Sequence, residues 1–466
     1  MRTWMKVSLL ILLAVGLCWG GAVWYWSATN RMPDTQDLVL YMVALPLGVL
    51  LALWLGRKLI AAIASAPAAA SGAATSPPQA ASSPPPPAAA PLAVLSAALR
   101  TPHGASPEDL SGAILDNKAR ADLDEELVDD HGFPVMTARS DDADDPALQE
   151  EIAQWFADNG VPDPELQAEQ WRALALATGV VGELASAAAS ELAAAEGAGV
   201  TPMLHLLPLL PPEWALAERR AAGLWLRHIV SEAGWPLARI ALASEVPSDA
   251  RSTSPLAVLG RLAHQGMISG EPLVGLVVAA ASFLADSHLS NWEGNATLFT
   301  AARPQGLIPG EGAAGMLLTD LLQAQSKEGL SYALLDLTPE ARRHNSADEA
   351  KKADAKLLGT MTEKVLASAM APADKVAMLV ADTGHRTTRV LELMEMLAAA
   401  LPHLDSETDV RRTGAACGTC GAVPFVTALA LARHHALELE APVLCISNED
   451  PYRRSAVLVR PAAALS

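Results

Sequence analysis

The stretch IPGEGAAGMLLTD, Ile308 to Asp320, begins as a turn and ends as an apolar strand. Pro309-Gly310 supplies the turn. Gly312, Ala313, Ala314 and Gly315 then let the backbone approach a neighbour closely, before Met316, Leu317 and Leu318 continue as a strand. Working outward, short β-rich runs alternate with alanine- and leucine-rich helical stretches from about residue 93 onward. Strands are expected at Ala93–Ala98, Met203–Leu207, Val274–Ala280, Gly315–Leu318, Tyr332–Leu337, Val376–Ala381, Val443–Ser447 and Ala456–Val459. Helices are expected at Pro146–Asn159, Glu165–Ala195, Ala215–Ala233, Ala350–Ala369, Arg389–Ala400 and Pro424–Leu437. Such alternation predicts an α/β fold, a central sheet flanked by helices. The acidic start of SDDADDPALQEE, from Ser140, reads as a solvated loop and a helix N-terminus, with a metal site as the minor alternative.

Composition agrees. Of the 466 residues 51% are hydrophobic, ample for a core, but only 4% are aromatic, which suits helices packed on a sheet better than a β-sandwich. The net charge of −19, with no long Lys/Arg run, argues against nucleic acid as a partner. Cys18, Cys417, Cys420 and Cys445 are too few and too unevenly placed for a disulfide framework, which favours a reducing compartment.

Residues 1–60 read as a transmembrane hairpin. Val7–Trp26 and Leu38–Leu55 are each apolar and long enough to span a bilayer, and Trp24, Tyr25 and Trp26 suit an interface. A cleaved signal peptide is the competing reading of the first run. Arg2 and Lys6 before the hairpin, and Arg57 and Lys58 after it, place both termini in the cytoplasm of a bacterial inner-membrane protein. Residues 61–92, nearly all Ala, Pro, Ser and Gly, form a disordered linker, leaving 93–466 as a cytoplasmic domain.

The succession of segments carries a further signal. VGLVVAAASFLADS (Val274–Ser287) followed by LIPGEGAAGMLLTD (Leu307–Asp320) resembles the β-ketoacyl synthases of the thiolase superfamily. VAMLVADTGHRTTRVLELME (from Val376) is similar to their HGTGT region. GTCGAVPFVTALALA (from Gly418) is similar to their GHxxGAAG turn and helix, and APVLCISNEDPYRRSAVLVRP (Ala441–Pro461) to their final strand pair. The resemblance implies a thiolase-like layered fold, α/β/α/β/α, built from two related halves.

It also implies a Cys-His-His triad, which the sequence does not fill. The nucleophile position falls near Thr253, in ARSTSPLAVLGRL, and no cysteine lies between Cys18 and Cys417. The first histidine position falls at Ala381 or Asp382, with His385 a few residues later, and the second falls at Gly418. No catalytic residue and no cofactor is therefore expected. A chain that keeps the scaffold and loses the triad reads as a pseudoenzyme. The pair Cys417 and Cys420 reads as an unreactive packed turn. Metal or redox work, with Cys445, His434 and His435 as possible additional ligands, is the alternative. His264, His288, His385, His434 and His435 each read first as surface or packed histidines.

Three functions follow as expectations. The first is a membrane-tethered, non-catalytic scaffold or accessory partner of an inner-membrane assembly, such as a secretion system, binding proteins and pairing as a homodimer through an edge strand of its first half. The second is an acyl-transfer or condensing enzyme with a non-standard active site. The third is an acyl-chain-binding sensor.

Overall fold

The computed structural model describes residues 91–193, 201–243, 254–269, 271–327, 329–349 and 352–462. The two expected spans, nearly all of the linker, and Thr253 lie outside the described residues.

The strands in chain order are β1 (Leu92–Arg100), β2 (Asp122–Val128), β3 (Pro134–Thr137), β4 (Leu204–Leu209), β5 (Ile240–Leu242), β6 (Val274–Ser282) and β7 (Glu311–Asp320). They continue as β8 (Ala333–Leu337), β9 (Ala341–Arg342), β10 (Met378–Ala381), β11 (Val410–Arg412), β12 (Val443–Ser447) and β13 (Arg453–Pro461). The helices are α1 (Pro107–Leu115), α2 (Pro146–Asp158), α3 (Ala168–Glu191), α4 (Leu216–Glu232), α5 (Pro255–Ser269) and α6 (Asp286–Gly294). After them come α7 (Leu321–Ser326), α8 (Lys356–Ser368), α9 (Thr387–Ala400), α10 (Thr413–Cys417) and α11 (Val423–Glu438). Each expected strand and helix is present, with ends displaced by a few residues. The last residue of the expected linker, Leu92, is 2% exposed and pairs with Asp320 and Leu335 as the first residue of β1.

The main sheet runs β11-β10-β12-β13-β8-β1-β7-β6-β4-β5. Its two halves have the same plan. In the first, taking β1, β4, β5, β6 and β7 as strands one to five, the spatial order is three-two-four-five-one; β8, β10, β11, β12 and β13 repeat that order in the second. In both halves strand five runs antiparallel to its neighbours, and the inner pairs β4–β6 and β10–β12 are parallel. The halves meet where β1 pairs antiparallel with β8.

Three apolar clusters define the layers. α3 and α4 cover one face of the first half through Leu174, Val180, Leu184, Trp225 and Leu226. α8 and α9 cover the matching face of the second half through Leu358, Val365, Leu393 and Met396. Between them, α5 and α11 form a shared inner layer packed against β6 and β7 on one side and β12 and β13 on the other. This is the layered α/β/α/β/α arrangement expected of the resemblance. Because helices cover both faces, every residue of β6 and all but the last of β7 are buried, which is why the middles of those strands read as apolar runs rather than alternating ones. α3 is long and apolar enough to cross a membrane by length and composition, yet its inward face, Leu174 to Ala188, is buried in the core.

The close approach expected after Pro309-Gly310 is observed. A Cβ on Gly315 would sit 2.8 Å from the Leu184 side chain and 3.0 Å from Val180, so the glycine lets α3 lie directly on β7. A Cβ on Gly310 would sit 2.0 Å from the Cys417 carbonyl oxygen. The turn therefore rests backbone-to-backbone on the CGTC segment, where the Thr419 amide donates to the Ile308 carbonyl at 2.7 Å. In SDDADDPALQEE, Asp145 caps α2 by accepting from the Leu148 amide at 3.0 Å, ahead of Pro146 at the first helical turn.

Candidate functional site

A cavity of about 410 Å³ opens beside the CGTC turn. Ser254 at the start of α5, Asp382 just past β10, and Gly418 and Cys420 in the turn all line it. The positions that the resemblance assigns to the two histidines thus converge on one cavity, which Ser254 also lines. The floor is apolar, with Leu209, Phe283, Leu307 and Phe425. The rim is acidic: Glu213, Glu340, Asp348, Glu449 and Asp450 face it, against the guanidiniums of Arg386 and Arg453. No histidine or lysine is among the described residues that line it.

The turn is shaped by glycine. Gly418 (φ 64°) and Gly421 (φ 63°) adopt left-handed backbone conformations that favour a residue without a Cβ. Cys417 and Cys420 are fully buried, and the Cys420 thiol donates to the Cys417 carbonyl at 3.3 Å. Burial pushes the Cys417 thiol up to about 12 and raises those of Cys420 and Cys445 as well. A thiolate is the form that attacks or ligates, and this turn disfavours it.

Asp382 is also buried, and burial raises its carboxyl to about 6. Among the described residues no guanidinium hydrogen-bonds to it. It accepts from the Ser447 hydroxyl, from the Asn448 amide at 2.8 Å and from the Glu449 amide at 3.2 Å. The Thr383 hydroxyl donates to Asn448 Oδ1 at 2.6 Å, tying the loop after β10 to the loop after β12. Arg386 bridges the rim, donating to Glu449 Oε1 at 2.8 Å and to Asp348 Oδ1 at 2.7 Å, while the fully buried Arg389 also pairs with Asp348. These contacts hold the mouth in one arrangement, and its cations are already engaged by its own carboxylates.

The other expected candidates lie elsewhere. His264 is exposed on α5. His288 stacks on Phe283 and contacts Glu169 at 2.8 Å, which raises its pKa. His385, packed edge-on against Phe299, is lowered by burial. His434 and His435 lie near the far end of α11, roughly 16 Å along the helix from Val423 at 1.5 Å per residue. They do not join Cys417 and Cys420 in one site. Sequence reasoning did not single out Glu213, Asp348, Arg386 or Glu449; Arg386 and Glu449 stood inside quoted segments, but nothing local showed that they meet.

Solved structures with the same arrangement are ketosynthases. The chain is similar to the ketosynthase from module 6 of the bacillaene synthase of Bacillus subtilis 168, with TM-score 0.53, 10% identity, and coverage of 79% of this chain and 72% of that one. It is similar to a β-ketoacyl synthase from Burkholderia phymatum STM815, with TM-score 0.52, 9% identity, and coverage of 80% and 100%. A third is the ketosynthase from module 1 of the bacillaene synthase of Bacillus amyloliquefaciens FZB42, with TM-score 0.51, 13% identity, and coverage of 79% and 72%. No family model and no curated protein matches the sequence. The fold is that of the ketosynthases, the thiolase-like fold.

Proposed function

We propose that this is a non-catalytic member of the ketosynthase fold, tethered to a bacterial inner membrane by its N-terminal hairpin, that works as a scaffold or accessory partner for other proteins. The cavity carries the proposal: where the resemblance calls for two histidines it presents Asp382 and Gly418, and its cysteine is a buried, protonated thiol. The acidic rim adds support, because it repels the phosphates of coenzyme A and of a phosphopantetheine arm. The test is incubation of the purified full-length protein with acyl-coenzyme A and acyl-carrier protein, followed by intact-mass measurement. No covalent adduct is expected; a stoichiometric acyl adduct overturns the proposal in favour of a non-standard acyl-transfer or condensing enzyme.

The apolar floor of Leu209, Phe283, Leu307 and Phe425 favours a second reading, an acyl-chain sensor that binds without reacting. Native mass spectrometry distinguishes it, since a sensor would retain a lipid that a scaffold would not. Pairing as a homodimer through an edge of the first half is part of the proposal. Among the described residues the outermost strand of that half is β5, just three residues long, so the contact through it would be short. Light scattering on the detergent-solubilised chain should give twice the monomer mass; a monomer mass unchanged with concentration removes the dimer. A pull-down from solubilised membranes, with the co-purifying proteins identified, tests the partner role.

A further inference from the structure

We propose that His434, His435 and Glu438, on the last turns of α11, form a binding site for a divalent transition-metal ion of the zinc class, separate from the cavity. The three donor atoms lie within 4.8 Å of one another. Glu438 Oε2 is 3.5 Å from His434 Nε2 and 3.2 Å from His435 Nδ1. A tetrahedral ion with bonds of about 2.1 Å needs donor–donor edges of about 3.4 Å. Two of the three edges therefore already have about the required length, and the third, within 4.8 Å, shortens when the ion is bound.

The sequence spacing explains the geometry. Residues 434 and 438 are four apart and share one side of the helix; residues 435 and 438 are three apart and do the same from the next column, so the carboxylate sits between the two imidazoles. Two nitrogens and one oxygen form a donor set that suits zinc, nickel or cobalt rather than calcium or magnesium.

A second, independent feature orients the set. The other nitrogen of His435, Nε2, lies 2.8 Å from the hydroxyl of Ser111, which is buried on α1. With an ion on Nδ1, Nε2 carries the proton and donates it to Ser111. That outer-shell bond fixes the tautomer and ring orientation of metal-binding imidazoles. The ring is also held by burial, at 5% exposed, so one ligand is in place before the ion arrives. The site lies at the carboxyl end of α11, where unpaired carbonyls favour a cation. Arg411 opposes it electrostatically, and the Glu438 carboxylate offsets that charge. His434 and Glu438 are open enough to solvent, at 27% and 59%, for water to complete the coordination, so the ion would exchange freely.

The experiment is titration of the full-length protein, purified without a polyhistidine tag, with cobalt(II) and zinc(II). Cobalt should bind one-to-one with d–d absorption and no near-ultraviolet thiolate band, and zinc should displace it. His434→Ala and Glu438→Gln, both at half-exposed or exposed positions, should each weaken binding about tenfold or more, and Ser111→Ala about tenfold. Zinc should raise the melting temperature of the wild type and not of His434→Ala. Absence of saturable binding by the wild type, binding unchanged in both His434→Ala and Glu438→Gln, or a thiolate band that assigns the ion to the cysteines would each overturn the proposal.

Discussion

Glu311 and Asp382 are both buried carboxylates that follow the start or end of a core strand, one in each half, and they are stabilised in opposite ways. Glu311, fully buried, accepts from the Arg172 guanidinium on both oxygens, at 2.6 and 2.9 Å, and from the Ser140 amide and the Ser282 hydroxyl. Among the described residues Asp382 has neutral donors alone, and its carboxyl rises to about 6. A paired charge locks α3 to β7; an unpaired one remains close to its titration range. The first half therefore uses its acid as a rivet, whereas the second keeps an ionisable group at the cavity wall.

Removal of the cation should have the largest effect. Arg172→Met strands the Glu311 charge in the core, at an expected cost of about 3–5 kcal/mol in urea unfolding. A cost below 1 kcal/mol would mean that the neutral donors suffice, and the contrast between the two acids would collapse. For Asp382 the sign runs the other way with pH. The folded state holds the proton more tightly than the unfolded chain, so the contribution of Asp382 to stability is greatest below about pH 4 and is lost as pH rises through 6. The shift of roughly two pH units corresponds to about 3 kcal/mol. Asp382→Asn should remove this decline, and parallel stability–pH curves for wild type and variant would show that the carboxyl is not shifted.

Between the two acids lies the CGTC turn. Replacing Cys417 and Cys420 together with Ala should cost about 1–2 kcal/mol and release no metal, as expected of small packed side chains. A loss several times larger, with zinc that the wild-type protein holds and the double variant releases, would make the turn a metal site. The smallest effect is expected of Ser447→Ala, about 1 kcal/mol at neutral pH, with the Asp382 carboxyl moving further up as one donor to its charged form is lost. A downward move in the carboxyl's NMR titration would contradict the assigned cause.

Local pattern made much of this fold readable. The apolar runs at 274–280 and 315–318 announce strands, and the small residues around Gly315 announce a close backbone approach to a neighbour. The β2–β3 hairpin was not readable: Asp122, Asp124, Glu125 and Glu126 look like a solvated stretch, yet Asp124 is buried and held by Arg139 and Thr137. Alignment with the family motifs placed Asp382 and Gly418 at the cavity, but the rim escaped. Arg172 lies 139 residues from Glu311, and Asp348 lies 38 from Arg386. Such pairs have no periodicity and no local spacing, so they exist only once the sheet has assembled.

The place of β1 has a mechanical consequence. The strand that follows the linker lies in the middle of the sheet, antiparallel to β7 along eight register pairs and to β8 along three. Tension applied from the residues before Leu92 pulls β1 along its own axis, so both ladders are loaded in shear and their bonds resist together rather than one at a time. A pull on the chain's other end reaches β13, which is held between β8 and β12. Whatever holds this domain by its N-terminal side grips its central seam, and the seam gives way only when the two halves part.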